Sequence, residues 1–177
     1  MNPKLRERIA VSPLNFHPEV RSSMKLPDHV IIHDTTLREG EQTPGVVFKP
    51  EDKLAIARML DLVGVQQIEA GFPAASQGER EALKMLVKER LKAQIFGFAR
   101  AVKSDIDEVI KCEAYGLVLS FPPSDMHLKY KLRMTREQYL GRAVELVEYA
   151  KDHGLYITYS AEDSTRADLE FLKEVFR

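Results

Sequence analysis

The sequence contains very little cysteine and no long apolar run. Cys112 is the single cysteine in 177 residues, so no disulfide can form within the chain, and a reducing cytoplasm is the compartment that we expect. No segment is long and apolar enough to span a bilayer. The charged N-terminus is not followed by the apolar stretch of a secretory signal. These absences predict a cytoplasmic protein that does not bind a membrane.

An excess of charge of one sign is also missing. The formal net charge is -1, so no overall attraction draws the chain to nucleic acid or to an anionic membrane surface. Neither GxGxxG nor a Walker loop is present in the sequence, which weakens a nucleotide-binding interpretation. The hydrophobic fraction of 44% is that of a globular domain with a core. We therefore expect a globular domain without a nucleic-acid partner.

Five short β-type runs follow a proline-containing start. Residues 1–28 hold four prolines and mixed charge, which predict an arm that packs on the domain or on a partner, and residues 29–177 are the predicted domain. Each run is followed by a helical pattern, and this alternation predicts a parallel sheet covered by helices. The runs are HVIIHD (29–34), QQIEAGF (66–72), QIFGFAR (94–100), GLVLSFP (116–122) and YITYSAED (156–163).

Two architectures fit this alternation: an open doubly wound sheet, or part of an eight-fold barrel. A closed barrel takes roughly 250 residues, and the predicted domain has room for about five units of roughly 30 residues. In an open sheet ligands gather at one switch point, whereas in a barrel they contact the C-terminal ends of many strands. Nearly every predicted strand here ends in polar residues. We therefore predict an α/β fold, a (β/α)8 TIM barrel of which the chain carries about the first five βα units.

Capping signals predict where the helices begin. Ser76 lies three residues before Glu79, which is the spacing of a capping box. Ser104 and Asp107 form a weaker version of the same signal. A 3.6-residue spacing predicts the apolar face of the last helix. That face consists of Leu169, Leu172 and Phe176.

The stretch HDTTLREGEQTPG (33–45) places many polar groups directly after an apolar run. It could be an ordinary acidic loop. Arg38 followed by Glu39 is also a workable pair for chemistry, because a carboxylate can hold a divalent cation and a guanidinium can neutralise an enolate or a carboxylate. One carboxylate cannot form a metal site alone, so further ligands would be needed.

Glu69 lies inside an apolar strand run, where an unpaired carboxylate is unfavourable. Arg38 or Arg100 could pair with it, and the group would then be structural. The residues alone leave the structural and the functional interpretation open. His127 lies in a polar run and is predicted to be a surface histidine.

Five motifs together resemble a known family. They are DTTLREGEQTPGV, IEAGFPAAS, FARAVKSDID, SDMHLKYKLRMTREQ and YSAEDSTRADLEFL. They resemble the acetyl-CoA-dependent Claisen-condensing enzymes, namely the isopropylmalate, homocitrate and citramalate synthases. These belong to a wider group of metal-dependent TIM barrels that also holds hydroxymethylglutaryl-CoA lyase. The likeness extends from about residue 29 to residue 177.

The resemblance implies an acyltransferase that condenses acetyl-CoA with a 2-oxo acid and then hydrolyses the thioester. It implies a divalent metal ion (Mg, Mn or Zn) as cofactor, with acetyl-CoA as co-substrate and a small 2-oxo acid as the other ligand. A homodimer is expected, because an incomplete barrel exposes sheet edges that invite pairing with another chain.

The resemblance also implies roles for six residues. Arg38 would stabilise the enolate and the keto oxygen, and Glu39 would be a metal ligand. Glu162 would be the second catalytic residue, as a candidate for proton transfer or for orienting acetyl-CoA. The expected substrate-binding residues are Gln42, Glu69 and Ser160.

The sequence departs from the family's pattern in three places. The HxH motif that completes the family's metal site is absent, so we expect a truncated chain that does not turn over substrate alone. Val118 stands where many isopropylmalate synthases carry a histidine. Thr158 stands where homocitrate synthases carry an arginine, which puts a dicarboxylic substrate in doubt. Glu39 is typical of homocitrate synthases, whereas GFPAAS and SAEDSTR favour the isopropylmalate type.

Other functions fit the same residues. Homocitrate and citramalate synthases are alternatives within the condensing enzymes, and an acyl-CoA lyase of the same superfamily is a further one. A non-catalytic half-barrel that acts as a binding or assembly module is an alternative of another class.

Overall fold

The structure is a computed structural model that describes residues 12–22 and 24–177. The chain divides into two units, Met1–Val30 and Ile31–Arg177. In the first unit a 3-10 turn, Pro13–Phe16, precedes a short helix α1, Pro18–Arg21. Each begins at a proline, whose fixed φ suits the first helical position. The predicted arm lies in part outside the described residues.

The second unit contains five strands. They are β1 His33–Asp34, β2 Gln67–Gly71, β3 Gln94–Arg100, β4 Gly116–Ser120 and β5 Tyr156–Ser160. All neighbours are parallel, and the strands pair in the order of the sequence. A doubly wound sheet reverses its order at a switch point, whereas a barrel adds each strand beside the preceding one. The strand order therefore favours the barrel.

Helices follow each strand. They are α2 Thr36–Glu39, α3 Pro50–Val63, α4 Gln77–Lys88, α5 Lys103–Lys111, α6 Arg136–Asp152 and α7 Leu169–Val175. Two 3-10 turns, Gly40–Gln42 and Ser164–Arg166, and a π-helical turn, His127–Leu132, complete the connections. Among the described residues, no helix combines the length and the apolar character that crossing a membrane requires.

Alternation along the strands gives the sheet two different faces, because successive side chains point to opposite sides. Ile95 and Ala99 of β3 belong to the main core, with Ile106 and Val109 of α5. Phe96 lies on the other face, where its ring contacts the imidazole of His33 at 5.1 Å between centroids. The face away from the helices therefore carries the polar and aromatic side chains that a barrel would enclose.

One irregularity interrupts the pairing of β2 with β3. Glu69 pairs with Phe96 and Gly71 pairs with Gly97, so Ala70 is an extra residue on β2. This is a β-bulge, which leaves the extra residue unpaired and bends the strand. The backbone oxygen of Ala70 accepts a hydrogen bond from the Lys53 ammonium at 3.2 Å instead.

The first predicted strand is shorter and more exposed than expected. Only His33 and Asp34 form β1, and the side chains of Ile31 and Ile32 are more than half exposed. The prediction of a strand across residues 29–34 was therefore wrong in its extent. The reason is that β1 is the first strand of the sheet and pairs with β2 alone among the described strands.

The face predicted for the last helix was also wrong. Leu169 and Phe176 are exposed, and Phe171 is the buried residue of α7. The helix begins one residue after Asp168, whose carboxylate accepts a hydrogen bond from the Phe171 backbone N–H at 2.9 Å. With the helix starting at Leu169, Phe171 faces the core. Its ring lies against the ring of Tyr139, with 5.7 Å between centroids.

Ser76→Ala is expected to lower the free energy of unfolding by about 1 kcal/mol. The Ser76 hydroxyl caps α4, because its oxygen accepts a hydrogen bond from the Glu79 backbone N–H at 3.1 Å. Ser104 is the matched control, since α5 begins at Lys103 and Ser104 is not its N-cap residue. Urea unfolding of both variants tests this. Equal losses in Ser76→Ala and Ser104→Ala would show that the cap contributes nothing.

Candidate active site

The turn after β1 positions the arginine and the glutamate of LREGEQ. The Asp34 carboxylate accepts hydrogen bonds from the Thr36 backbone N–H at 2.9 Å and from its hydroxyl at 3.2 Å. These bonds start α2 at the end of the strand, because a short acidic side chain can satisfy the free N–H groups of a first helical turn. Arg38 and Glu39 are therefore presented at the carboxyl end of the sheet.

The Arg38 guanidinium is held on three sides. Its flat face lies over the Phe98 ring, 4.1 Å from the centroid. One amino group lies 2.6 Å from Glu39 Oε1, and Nε lies 3.7 Å from Glu69 Oε1. Stacking on an aromatic face and pairing with carboxylates both suit the planar guanidinium. The side chain is largely buried, so its charge acts in surroundings that water screens weakly.

Gln42 completes this group. Hydrogen bonding places its amide nitrogen toward Glu39 Oε2, at 2.9 Å, and its amide oxygen toward an amino group of Arg38, at 2.6 Å. Each of the three side chains therefore contacts the other two. The sequence run brings them together within a single turn of helix and the 3-10 turn that follows it.

A cavity of about 1080 Å³ opens beside these residues at the carboxyl end of the sheet. Ser160 lies at the end of β5, and Glu162 lies two residues beyond it, on the opposite side of the opening from the turn after β1. Aromatic rings of Phe72 and Phe98 line the same space. All of the predicted site residues except Glu69 line the cavity. They are Arg38, Glu39, Gln42, Ser160 and Glu162.

Glu69 lies beneath Arg38 rather than on the cavity wall. Its side chain is buried, and its carboxylate lies 3.7 Å from Arg38 Nε and 3.7 Å from His33 Nε2. Of the two partners that the sequence left open, Arg38 is the nearer one. Arg100 instead pairs with Asp105, through contacts of 2.7 and 3.1 Å.

The sequence analysis did not identify Lys131 as part of this site. Its ammonium lies 3.0 Å from Glu162 Oε2 and lines the cavity. Both side chains are about half exposed, so water screens this pair. Lys131 lies in the π-helical turn, and no motif spacing links that turn to the end of β5. Only the folded arrangement shows the contact.

A second polar cluster joins the turns after β4 and β5. The hydroxyl of Ser124 donates to Asp163 Oδ2 at 2.5 Å and lies 3.0 Å from His127 Nδ1. Hydrogen bonds from Arg166 and Ser124 lower the pKa of Asp163. The expectation that His127 is a surface residue is corrected here, since its side chain is only 21% exposed. Ser124 is fully buried, so this cluster fixes the turn that carries Glu162.

His33 is expected to titrate with a raised pKa. The Glu69 carboxylate raises the pKa of His33 above its ordinary value of 6.5, although burial opposes this. Nε2 is buried and has no hydrogen-bond partner among the described residues, and the carboxylate at 3.7 Å is too far for a hydrogen bond. The geometry therefore supports attraction between the charges as the effect of Glu69, and the contact of Nδ1 with Gln67 Oε1 at 3.0 Å also raises the pKa of His33.

The sign of the pH dependence follows from this raised pKa. The stabilisation by protonated His33 is complete below the pKa of the unfolded chain and is lost as the pH rises through the higher folded-state pKa. Titration of the imidazole signals by NMR measures the pKa, which we expect to fall in Glu69→Gln. An unchanged His33 pKa in that variant would contradict the assigned interaction.

The described residues do not form a metal site on their own. Across residues 12–22 and 24–177, no three histidine, cysteine, aspartate or glutamate side chains are grouped so that they could hold one cation. Glu39 is half exposed and one of its oxygens already contacts Arg38. A divalent cation takes four or more ligands, whereas the carboxylates on the cavity wall are Glu39 and Glu162, and each contacts a cationic side chain.

Comparison with known proteins identifies a family. A family model described as HMGL-like matches residues 29–177. A homocitrate synthase from Methanopyrus kandleri is 53% identical over 163 residues, which cover 90% of this chain and 41% of that protein. A probable 2-isopropylmalate synthase from Ignicoccus hospitalis is 56% identical over 147 residues, covering 83% and 37%. An (R)-citramalate synthase from Methanocaldococcus jannaschii is 52% identical over 147 residues, covering 83% and 30%.

The chain thus spans 30 to 41% of the length of these relatives. Among solved structures, HMG-CoA lyase from Bacillus subtilis superimposes with a TM-score of 0.69. The match covers 86% of this chain and 55% of that one at 15% sequence identity. At this identity the likeness concerns the fold alone, and it confirms the prediction that the chain carries the first βα units of a TIM barrel.

Proposed function

Because the chain belongs to the HMGL-like family, we propose that its site condenses acetyl-CoA with a 2-oxo acid and that hydrolysis of the thioester follows. The three relatives are named as homocitrate, 2-isopropylmalate and citramalate synthases, which supports an acyltransferase. One observation carries the proposal. Residues from the two ends of the sheet line one cavity at the carboxyl ends of the strands, namely Arg38, Glu39 and Gln42 at one end and Ser160 and Glu162 at the other.

In the proposed reaction a base removes a proton from the methyl group of acetyl-CoA. The resulting enolate carbon forms a bond with the keto carbon of the 2-oxo acid, and the keto oxygen becomes a hydroxyl after taking up a proton. Water then cleaves the thioester and releases the CoA thiol. Glu162 is the candidate for transferring this proton or for orienting acetyl-CoA, because it is the carboxylate on the far wall of the cavity.

Arg38 is proposed to stabilise the negative charge that develops on the keto oxygen. Its guanidinium is already fixed by Phe98, Glu39 and Glu69, so little reorganisation is needed when the charge appears. Glu69 is then a positioning residue. It holds Arg38 in place and does not itself contact the substrate. Gln42 and Ser160 are proposed to bind the 2-oxo acid from opposite sides of the cavity.

Glu39 is proposed as one ligand of a divalent metal ion. The metal would supply Lewis-acid polarisation of the keto group. The ligands of the described residues are too few to hold it, so the assignment is confined to this single carboxylate.

A thiol-release assay tests the proposed function. The protein at its full natural length is incubated with acetyl-CoA, with Mg²⁺, Mn²⁺ or Zn²⁺, and with each member of a panel of 2-oxo acids with one or two carboxylates, because residues 1–177 alone are not expected to turn over substrate. We expect release of CoA thiol that depends on one of these acids. A folded protein that releases no thiol with any of them would contradict the proposal, and the acid that is accepted distinguishes the three kinds of synthase.

We also propose a cytoplasmic homodimer. The single cysteine is buried, which is compatible with a reducing compartment. The exposed side chains of Ile31 and Ile32, beside the two-residue strand β1, offer an apolar edge that a second copy could cover. Light scattering on the purified protein measures the oligomeric state.

A further inference from the structure

Lys53 is a buried cation that the proposed reaction does not use. It lies in α3 with no exposed surface, where an ammonium group is tolerated only when its protons have acceptors. Its nitrogen lies 2.6 Å from Glu41 Oε2, 2.5 Å from Glu79 Oε1 and 3.2 Å from the backbone oxygen of Ala70. An ammonium has three protons, so each finds one partner.

One of these partners belongs to the turn that forms the active site. Glu41 lies between Glu39 and Gln42, and its other oxygen accepts a hydrogen bond from the Phe48 backbone N–H at 2.9 Å. The Glu41 carboxylate therefore joins Lys53 to the backbone at the far end of the segment 41–48.

The other partners anchor Lys53 to the sheet. Glu79 lies in the first turn of α4, and its second oxygen accepts a hydrogen bond from the Phe72 backbone N–H at 2.7 Å. Ala70 is the extra residue of the β-bulge. The ammonium thus links α3, the end of β2, the start of α4 and the segment 41–48.

Gln42 of the segment 41–48 bonds Arg38 and Glu39, but the residues that follow it have few contacts that could hold them. Residues 42–45 are exposed, and the side chain of Val47 is 83% exposed. Burial of apolar side chains therefore contributes little to the position of this segment. The contact of Glu41 with Lys53 at 2.6 Å ties this segment to α3 and, through the other partners of Lys53, to the sheet.

We propose, on the basis of the condensing function above, that Lys53 is a positioning residue. Through Glu41 it holds the turn that presents Arg38, Glu39 and Gln42 to the cavity. A displacement of about 1 Å in such groups can lower a rate by about 100-fold. Lys53 itself touches no substrate, because it lies behind the turn and is fully buried.

Two variants break this link from opposite sides. Lys53→Met removes the ammonium, and Glu41→Ala removes the carboxylate while leaving Lys53 with Glu79 and Ala70. Leu146→Ala is the control, since this buried residue of α6 belongs to the core on the far side of the sheet from the cavity. All are compared at a temperature at which each is fully folded.

We expect kcat for thiol release to fall about 10- to 100-fold in Lys53→Met and in Glu41→Ala, with the KM for acetyl-CoA changed less than about twofold. Glu41→Gln should recover part of the loss, because an amide oxygen can still accept a bond from Lys53. Leu146→Ala should keep the wild-type kcat. Hydrogen exchange of the amides in 38–48 should be faster in the first two variants and unchanged in the control.

The outcomes separate the two proposals. If the wild-type protein releases no thiol with any 2-oxo acid, the proposed function is wrong, and hydrogen exchange alone decides the role of Lys53. If exchange in 38–48 is the same in Lys53→Met, Glu41→Ala and Leu146→Ala, Lys53 contributes to stability only and the inference is overturned. If Lys53→Met does not fold, Glu41→Ala tests the same link.

Discussion

Replacing Arg38 by alanine is expected to lower the kcat of thiol release by about 100- to 1,000-fold, the usual effect of losing one donor that stabilises a developing oxyanion. The guanidinium is fixed in advance by the Phe98 ring and by two carboxylates. A water molecule in its place would have to reorient as the charge develops. The loss should therefore appear in kcat rather than only in KM.

Arg58→Ala is the matched control for the loss of an arginine. Arg58 lies on the exposed side of α3 and pairs with Glu89 at 2.8 Å, away from the cavity. We expect this variant to retain nearly the wild-type rate. A normal rate in Arg38→Ala, or an equal loss in Arg58→Ala, would contradict the assignment of the oxyanion to Arg38.

Gly71→Ala is expected to lower the free energy of unfolding by about 2 to 5 kcal/mol, the sum of backbone strain and of overpacking. Gly71 has a backbone φ of +153°, a value that residues other than glycine rarely adopt. A methyl group there would meet the Glu79 carboxylate and the Lys53 ammonium. The buried ion pair would have to separate to admit it. Urea unfolding followed by circular dichroism measures the loss.

Gly141→Ala, which makes the same chemical change, is the matched control and is expected to raise the free energy of unfolding. Gly141 lies inside α6, and a methyl group added there meets nothing within 4 Å. Alanine in a helix interior should stabilise the protein by roughly 0.5 to 1 kcal/mol. If Gly71→Ala were no less stable than the wild type, the result would contradict the close approach of Lys53 and Glu79 to Gly71.

The alternation of short apolar runs and helical patterns was enough to predict five parallel strands, and the polar residues at nearly every strand end then favoured the barrel over an open sheet. Those features depend on local periodicity, which a sequence displays directly. The extent of β1 and the apolar face of α7 were wrong for a common reason. Exposure at a sheet edge and the phase of a short helix depend on which residues lie opposite in the fold, such as Tyr139 for Phe171.

The candidate site divides in the same way. Arg38, Glu39 and Gln42 lie in one motif, and the resemblance carried them together with Ser160 and Glu162. The contacts of Lys131 with Glu162 and of Lys53 with Glu41 join segments that no spacing rule connects. A sequence contains many lysines and glutamates that could pair with one another. Which of them form ion pairs can be identified only in the folded chain.

The bulge in β2 releases one backbone carbonyl from the ladder of the sheet. Ala70 is the unpaired residue, and its oxygen accepts a hydrogen bond from Lys53 instead. Deleting Ala70 would leave Glu69 opposite Phe96 and Gly71 opposite Gly97, so the side chains of β2 would keep their faces. The Lys53 ammonium would nevertheless lose one of its three acceptors inside the protein. The additional residue of β2 therefore serves the buried cation rather than the pairing of the strands.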